Sequence, residues 1–184
     1  MSDRAPLVRV AADETAPLIV ALFNSFVVDY AARSAVGGTD LSYFIVKQLP
    51  ILHPARFQDD MGWGCTYADF IVPRVLELTY TSSELQDFAE HLGYEDQPFP
   101  WSEGRRFRLR CEIDAALFRL YGMDHDDVDY IMETFPIVKR DDERGFGEFR
   151  TKRVVLEIYD QMMGVDTTGN AYPDILTRSP EISL

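Results

Sequence analysis

Between Leu18 and Tyr30, large apolar residues recur at every fourth position: Leu18, Leu22, Phe26 and Tyr30, with Ile19, Phe23 and Val27 in the adjoining row. Residues four apart stack on one face of an α-helix, so this ladder specifies a helix with a wide apolar face. Such a face must be covered by other elements, and this requirement restricts the chain to a packed, mainly helical assembly. Asp13 or Thr15 can cap the helix, and Pro17 is tolerated in its first turn. The ladder predicts one helix reaching Ala35, with Asn24, Ser25, Asp29 and Arg33 turned toward the other side. Gly37 and Gly38 stop it, because glycine enters the left-handed cap conformation without a steric penalty.

Helical spacing returns after a mixed stretch. Residues 7–10 read as a short strand or strand-like arm. LSYFIVKQLP is ambiguous: Tyr43, Phe44, Ile45 and Val46 favour a strand, and Thr39 or Asp40 as a cap favours a helical turn. Gly62 and Gly64 around Trp63 mark a loop. From Thr66 onward the pattern is helical, with Pro73 as a kink or boundary, Thr81 and Glu84 as a capping box, Ser102 and Asp124 as further caps, and Gly93 and Gly122 as stops. KRDDERGFGEF reads as a polar loop, followed by a helix from about residue 148 to 163. The predicted fold is mainly α, a helical domain of about six helices with one or two short strands near the N-terminal third. It divides into a single domain over 1–164 and a flexible tail over 165–184.

The chain has 184 residues, 46% hydrophobic and 12% aromatic, enough to bury one core. Its formal net charge of −13 repels nucleic acid and anionic membranes at long range. No stretch approaches the ~20 apolar residues that span a bilayer, and the first ten residues lack a signal-peptide layout. Cys65 and Cys111 are read as reduced thiols. Together these features predict a cytoplasmic chain with no membrane partner.

Reactive constellations are sparse. His53, His91 and His125 are scattered, without the spacing of a zinc site. Asp124, Asp126, Asp127 and Asp129 lack the calcium-loop pattern and read as a helix N-terminus rich in carboxylates. Neither a catalytic residue nor a metal ligand is assigned. Positive charge is uneven: residues 101–155 hold 11 Lys or Arg against 12 Asp or Glu, and the other residues 7 against 19. Arg105, Arg106, Arg108 and Arg110 form one basic cluster; Arg150, Lys152 and Arg153 form another. Such clusters can grip phosphates or pair with Glu103, Glu112, Glu148 and Glu157 on their own helices.

FNSFVVDYAARSAVGGTDLSYFIVKQLPI resembles a signature in the C-terminal part of large adenine-N6 DNA methyltransferases of type IIG restriction–modification and related phage-defence systems. PFPWSEGRRFRLRCEIDAALFRLYGMDHDDVDYIMETFPIVKRDDERGFGEFRTKRVVLEIYD is similar to the same proteins nearer their C-terminus, and the two segments occur in the family's order. The resemblance spans about residues 17–160. The family's Asn/Asp-Pro-Pro-Tyr/Phe methylase motif and its S-adenosylmethionine-binding loop do not occur here. The resemblance therefore implies a non-catalytic C-terminal fragment that supports target DNA recognition, S-adenosylmethionine being held by an upstream methyltransferase domain or subunit. Residues 1–55 would end a target-recognition-like region, and 66–164 would form its helical C-terminal part. The expected partners are that upstream domain or subunit and double-stranded DNA. Candidate DNA contacts are Arg33, Thr39, Lys47, Arg105, Arg106, Arg150, Lys152 and Arg153, with Gly37 and Gly38 as the structural loop. Ala35 and Asp40 stand where the family pattern carries Lys and His, which reduces positive charge at that loop. The alternative is a helical protein–protein interaction module that docks on a methylase subunit without touching DNA.

Overall fold

The computed structural model of the chain describes residues 15–36, 42–168 and 172. Among the described residues there are nine α-helices and no strand, with one isolated antiparallel bridge between Asp60 and Thr66. The helices are α1 (Ala16–Phe23), α2 (Phe26–Ala35), α3 (Tyr43–Val46), α4 (Tyr67–Thr79), α5 (Gln86–His91), α6 (Glu103–Leu120), α7 (His125–Glu133), α8 (Pro136–Phe146) and α9 (Arg150–Thr168). The expected one or two strands and six helices are thereby corrected. The arm at residues 7–10 lies outside the described residues. Tyr43–Val46, despite its strand-prone composition, forms a helical turn because the Ser42 hydroxyl accepts the Ile45 N–H at 3.4 Å.

The predicted helix from residue 15 to 35 is two helices, bent by 61° at Asn24–Ser25. Ser25 leaves the helical conformation at φ −93°, ψ 150°, and its hydroxyl accepts from Val28 N–H while donating to Leu22 O at 2.7 Å. Asn24 Nδ2 donates back to Val20 O at 2.8 Å. The new first turn of α2 presents Phe26 N–H, and the Asp114 carboxylate on α6 accepts it at 2.9 Å. Ser25 is consequently buried, against the expectation that it faces outward.

α4 and α6 run antiparallel, as their pairs require: Tyr67 with Arg119, Arg74 with Glu112, and Glu77 with Arg105. α7 crosses α9 antiparallel, with Lys152 on Asp129 and Glu133 and with His125 beside Asp160. The core between these helices is closed by Leu22, Ile71, Leu109, Leu117, Phe118 and Ile158, all fully or almost fully buried. Each such side chain contributes about 1.5–3 kcal/mol of apolar transfer. A satellite cluster of Leu76, Tyr80 and Ala89 is covered by Tyr94 and Phe99, whose rings stack at 4.7 Å.

Local signals worked unevenly. Asp124 and Asp127 form the reciprocal capping box that starts α7, in keeping with the reading of that acidic run as a helix N-terminus. Thr81 and Glu84 do not form one: Ser83–Leu85 is a 3-10 turn, and α5 starts at Gln86. α4 runs through Pro73 rather than ending there. The segment read as a polar loop is α8, which Pro136 opens and Gly147 closes at φ 77°. Its polar surface hides the helix from a search for apolar periodicity, and Asp142 ties it to α9 by accepting Thr151 N–H at 2.6 Å. No single described helix is long and apolar enough to cross a membrane; the bent pair α1–α2 reaches that length and composition only jointly.

Candidate functional site

Each candidate cation inside the described residues already has an intramolecular partner. Arg33 binds Asp29 at 2.8 Å and lies 4.3 Å over the Phe135 ring. Lys47 sits 4.3 Å over Tyr43. Arg105 grips the Glu77 carboxylate with both Nε and an Nη nitrogen. Arg106 stacks on Trp101 at 3.8 Å, and Arg150 lies between Phe107 at 4.2 Å and Phe146 at 4.5 Å. Lys152 is shared by Asp129 and Glu133, both at 2.7 Å. Arg153 spans Glu148 at 2.9 Å and Glu157 at 2.8 Å. Gly37, Gly38 and Thr39 lie outside the described residues.

The structure gathers part of this set. Arg150 reaches Phe107, which brings the first turns of α6 and α9 together, and Arg33 reaches Phe135 at the entry to α8. Arg33, Arg105, Lys152 and Arg153 each meet a carboxylate, whereas Lys47, Arg106 and Arg150 meet aromatic rings. Lys139 and Lys152 both bond Glu133 and hold its carboxyl below the usual range. The Arg153 hydrogen bond does the same to Glu148. A phosphate approaching this surface would have to displace formed charge-assisted bonds.

One polar cluster that the sequence reading did not single out is buried in the interior. Arg74 and Glu112 pair at 2.7 Å with almost no exposure. Arg74 also donates to Phe70 O at 2.7 Å and lies 3.4 Å over the Phe70 ring. Glu112 accepts from Arg108 and, at 2.9 Å, from the Tyr172 hydroxyl, which itself accepts from Arg108. The Tyr172 ring stacks on Trp63 with 5.5 Å between centroids. Burial, followed by the Glu112 charge, pushes the Tyr172 hydroxyl well above the tyrosine range. The cluster is fully bonded and packed, as expected of a device that holds the Tyr172 side chain against α4 and α6. The sequence cue was the Arg108–Glu112 spacing on α6, which the structure forms as an ion pair; Arg74 and Tyr172 were not read as partners.

Asp114, like Glu77 and Glu112, is a buried acid. Burial raises its carboxyl to about 7, against the opposing pull of the Phe26 N–H and Arg110. Cys65 and Cys111 are free thiols, and burial drives Cys111 far above the usual thiol range, which removes the thiolate that nucleophilic chemistry needs. Among the described residues no group of three or more His, Cys, Asp or Glu is placed to hold a metal. Large apolar side chains nevertheless face solvent: Phe44 at 74% and Tyr43 at 64% exposure on α3, and Trp101, Tyr130, Ile137 and Phe146 elsewhere.

Compared with protein-family models, curated proteins and solved structures, the chain matches none of them.

Proposed function

We propose that the chain is the non-catalytic, helical C-terminal part of an adenine-N6 DNA methyltransferase system, and that it supports target recognition by docking on the methyltransferase portion rather than by gripping DNA. The observation that carries this reading is that the candidate cations are engaged within the chain, four by carboxylates and three by aromatic rings. Arg33, Arg105, Lys152 and Arg153 are ion-paired, and Lys47, Arg106 and Arg150 lie flat on aromatic rings. Sequence-independent DNA affinity comes from counterion release by cations that reach phosphates, and these cations are occupied. The net charge of −13 works in the same direction. Exposed Tyr43 and Phe44, inside the segment that carries the resemblance, supply aromatic anchors of the kind protein interfaces use.

The test is co-expression with the adjoining methyltransferase polypeptide, followed by nuclease treatment and size-exclusion chromatography, beside titration of the chain alone with duplex DNA at low salt. A nuclease-resistant complex with no DNA-dependent shift is the expected result. Salt-dependent binding of duplex DNA by the chain alone would overturn docking without DNA contact.

A further inference from the structure

The joint between α1 and α2 is tied to α6 through an ionisable group. Asp114 on α6 is 7% exposed and accepts Phe26 N–H at 2.9 Å through one carboxylate oxygen. The same residue lines a cleft of about 270 Å³ between α1, α4 and α6, which has room for water. Asn24 and Ser25 form the break between two helices set 61° apart. Positions at the ends of elements absorb changes of backbone angle when a hinge moves. A buried acid, a helix break and a path to solvent therefore meet at one place.

No counter-charge neutralises the acid. Arg110, one turn earlier on α6, favours the ionised form but meets Glu103 at 3.6 Å, and Arg106 rests on Trp101. Among the described residues no cation lies within ion-pair distance of Asp114. Cys111, also on α6, is kept a neutral thiol by burial. The chain facing Asp114 across the cleft brings Val20, Ala21 and Asn24, and α4 brings Val75, Leu78 and Thr79, none of them ionisable. The Asn24 amide and the Thr79 hydroxyl are committed to Val20 O and Val75 O, both at 2.8 Å. Asp29 of α2 pairs with Arg33, and Glu77 of α4 with Arg105. An ionised Asp114 thus has the Phe26 N–H and the positive end of α2 in its favour and desolvation against it. Desolvation is the larger effect, because the carboxyl is raised to about 7.

We propose that the α1–α2 joint is a pH-sensitive hinge: when Asp114 ionises, its carboxylate turns to water in the cleft, releases Phe26 N–H and loosens the first turn of α2. The Phe26 ring on Phe135 at 4.7 Å and Arg33 over the same ring at 4.3 Å hold α2 in place, so the movement is confined to the joint and that first turn. The closed joint retains a proton, between 3.8 and about 7, that the open, hydrated joint gives up. Its advantage is therefore full below the lower value and is lost as pH rises through the upper one. The hinge is independent of the docking function and acts within the folded chain, ahead of global unfolding.

Amide hydrogen exchange of the full chain, followed by NMR at pH 5 and pH 8 and corrected for the intrinsic base-catalysed rate, tests it. The Phe26 amide is expected to lose at least about tenfold in protection between the two, because one unit of pKa difference is a factor of ten in the equilibrium. Leu117, fully buried in α6, is expected to stay better protected than Phe26 at both. The ¹³C shift of the Asp114 carboxyl should titrate with the same midpoint. Asp114→Asn, which keeps an acceptor for Phe26 N–H, is expected to make the Phe26 protection independent of pH. Three results overturn the hinge. One is Phe26 protection in the parent that does not change with pH. Another is Phe26 protection equal to that of Leu117 throughout, which means opening by global unfolding alone. The third is the same pH dependence in the folded Asp114→Asn protein.

Discussion

The Asp114 carboxylate accepts the backbone N–H of Phe26 at 2.9 Å, across 88 residues of sequence. An acid near the middle of α6 thereby caps the first turn of α2 and holds the bend between α1 and α2. It does so while buried, at the cost of a carboxyl raised to about 7.

That shift has a definite sign. Between the ordinary aspartate value of 3.8 and about 7, the folded chain binds a proton at Asp114 that the unfolded chain does not. This contribution to stability is full below the unfolded value and is lost as pH rises through the folded one. Asp114→Asn, which retains the acceptor, removes the dependence and is expected to be more stable than the parent at pH 8 by roughly 1–4 kcal/mol. Asp114→Ala strands Phe26 N–H and is expected to give up roughly 1–3 kcal/mol of that relief. Urea unfolding at pH 5 and pH 8 distinguishes the three proteins; a parent equally stable at both would contradict the shift.

Arg74 and Glu112 form a buried pair whose halves depend on each other. Glu112→Ala leaves Arg74 without its counter-charge and also removes a partner of Arg108 and Tyr172, so a loss of about 3–5 kcal/mol is expected. Arg74→Met/Glu112→Leu is expected to recover part of it, because the fully buried Arg74 charge goes with its partner while Arg108, partly exposed, keeps Tyr172. The comparison is read in denaturant midpoints at constant m-value.

Tyr172 closes the slot made by Trp63, Phe70, Arg108 and Glu112. Removing its ring as Tyr172→Ala is expected to cost about 3–5 kcal/mol, as for other buried aromatic truncations. It should also shift Trp63 fluorescence to the red as water enters. Tyr172→Phe keeps the stack and is expected to lose only about 0.5–1.5 kcal/mol for the hydroxyl bonds. An unchanged emission maximum in the alanine variant would show that the ring does not cover Trp63.

Gly147 ends α8 at φ 77°, and a Cβ built on it meets nothing within 4 Å. Gly147→Ala therefore tests backbone conformation without a steric clash. A destabilisation of about 1–2 kcal/mol is expected from the left-handed conformation, measured by thermal unfolding. A neutral result would mean that α8 ends differently in solution.

What could be read from the residues alone was local. The apolar ladder from Leu18 to Tyr30, the Asp124 cap and the facing pattern of α6 depend on neighbours three or four positions away; the last two each appear as a helix, and the ladder appears as two, α1 and α2. α8 escaped because a helix exposed around most of its surface has no apolar stripe to read, although its Pro136 start and Gly147 stop were both visible. Of the candidate site, the helical spacing offered Glu103, Glu112, Glu148 and Glu157, and Arg110, Arg108 and Arg153 do meet them; the pairings of Arg105 with Glu77 and of Lys152 with Asp129 and Glu133 were not offered.

Those pairings, the bend at Ser25 and the burial of Tyr172 were decided only in three dimensions. Asp114 lies 88 residues from Phe26, Glu112 lies 38 from Arg74, and Tyr172 lies 60 from Glu112. Hydrogen bonds act over about 3 Å of space, so a chain records in sequence order only those that it closes within a helical turn. Helical periodicity needed no partner to be recognised. The positions of the buried acids, and with them the bend and the cleft, depend on how α1, α2, α4 and α6 pack against one another.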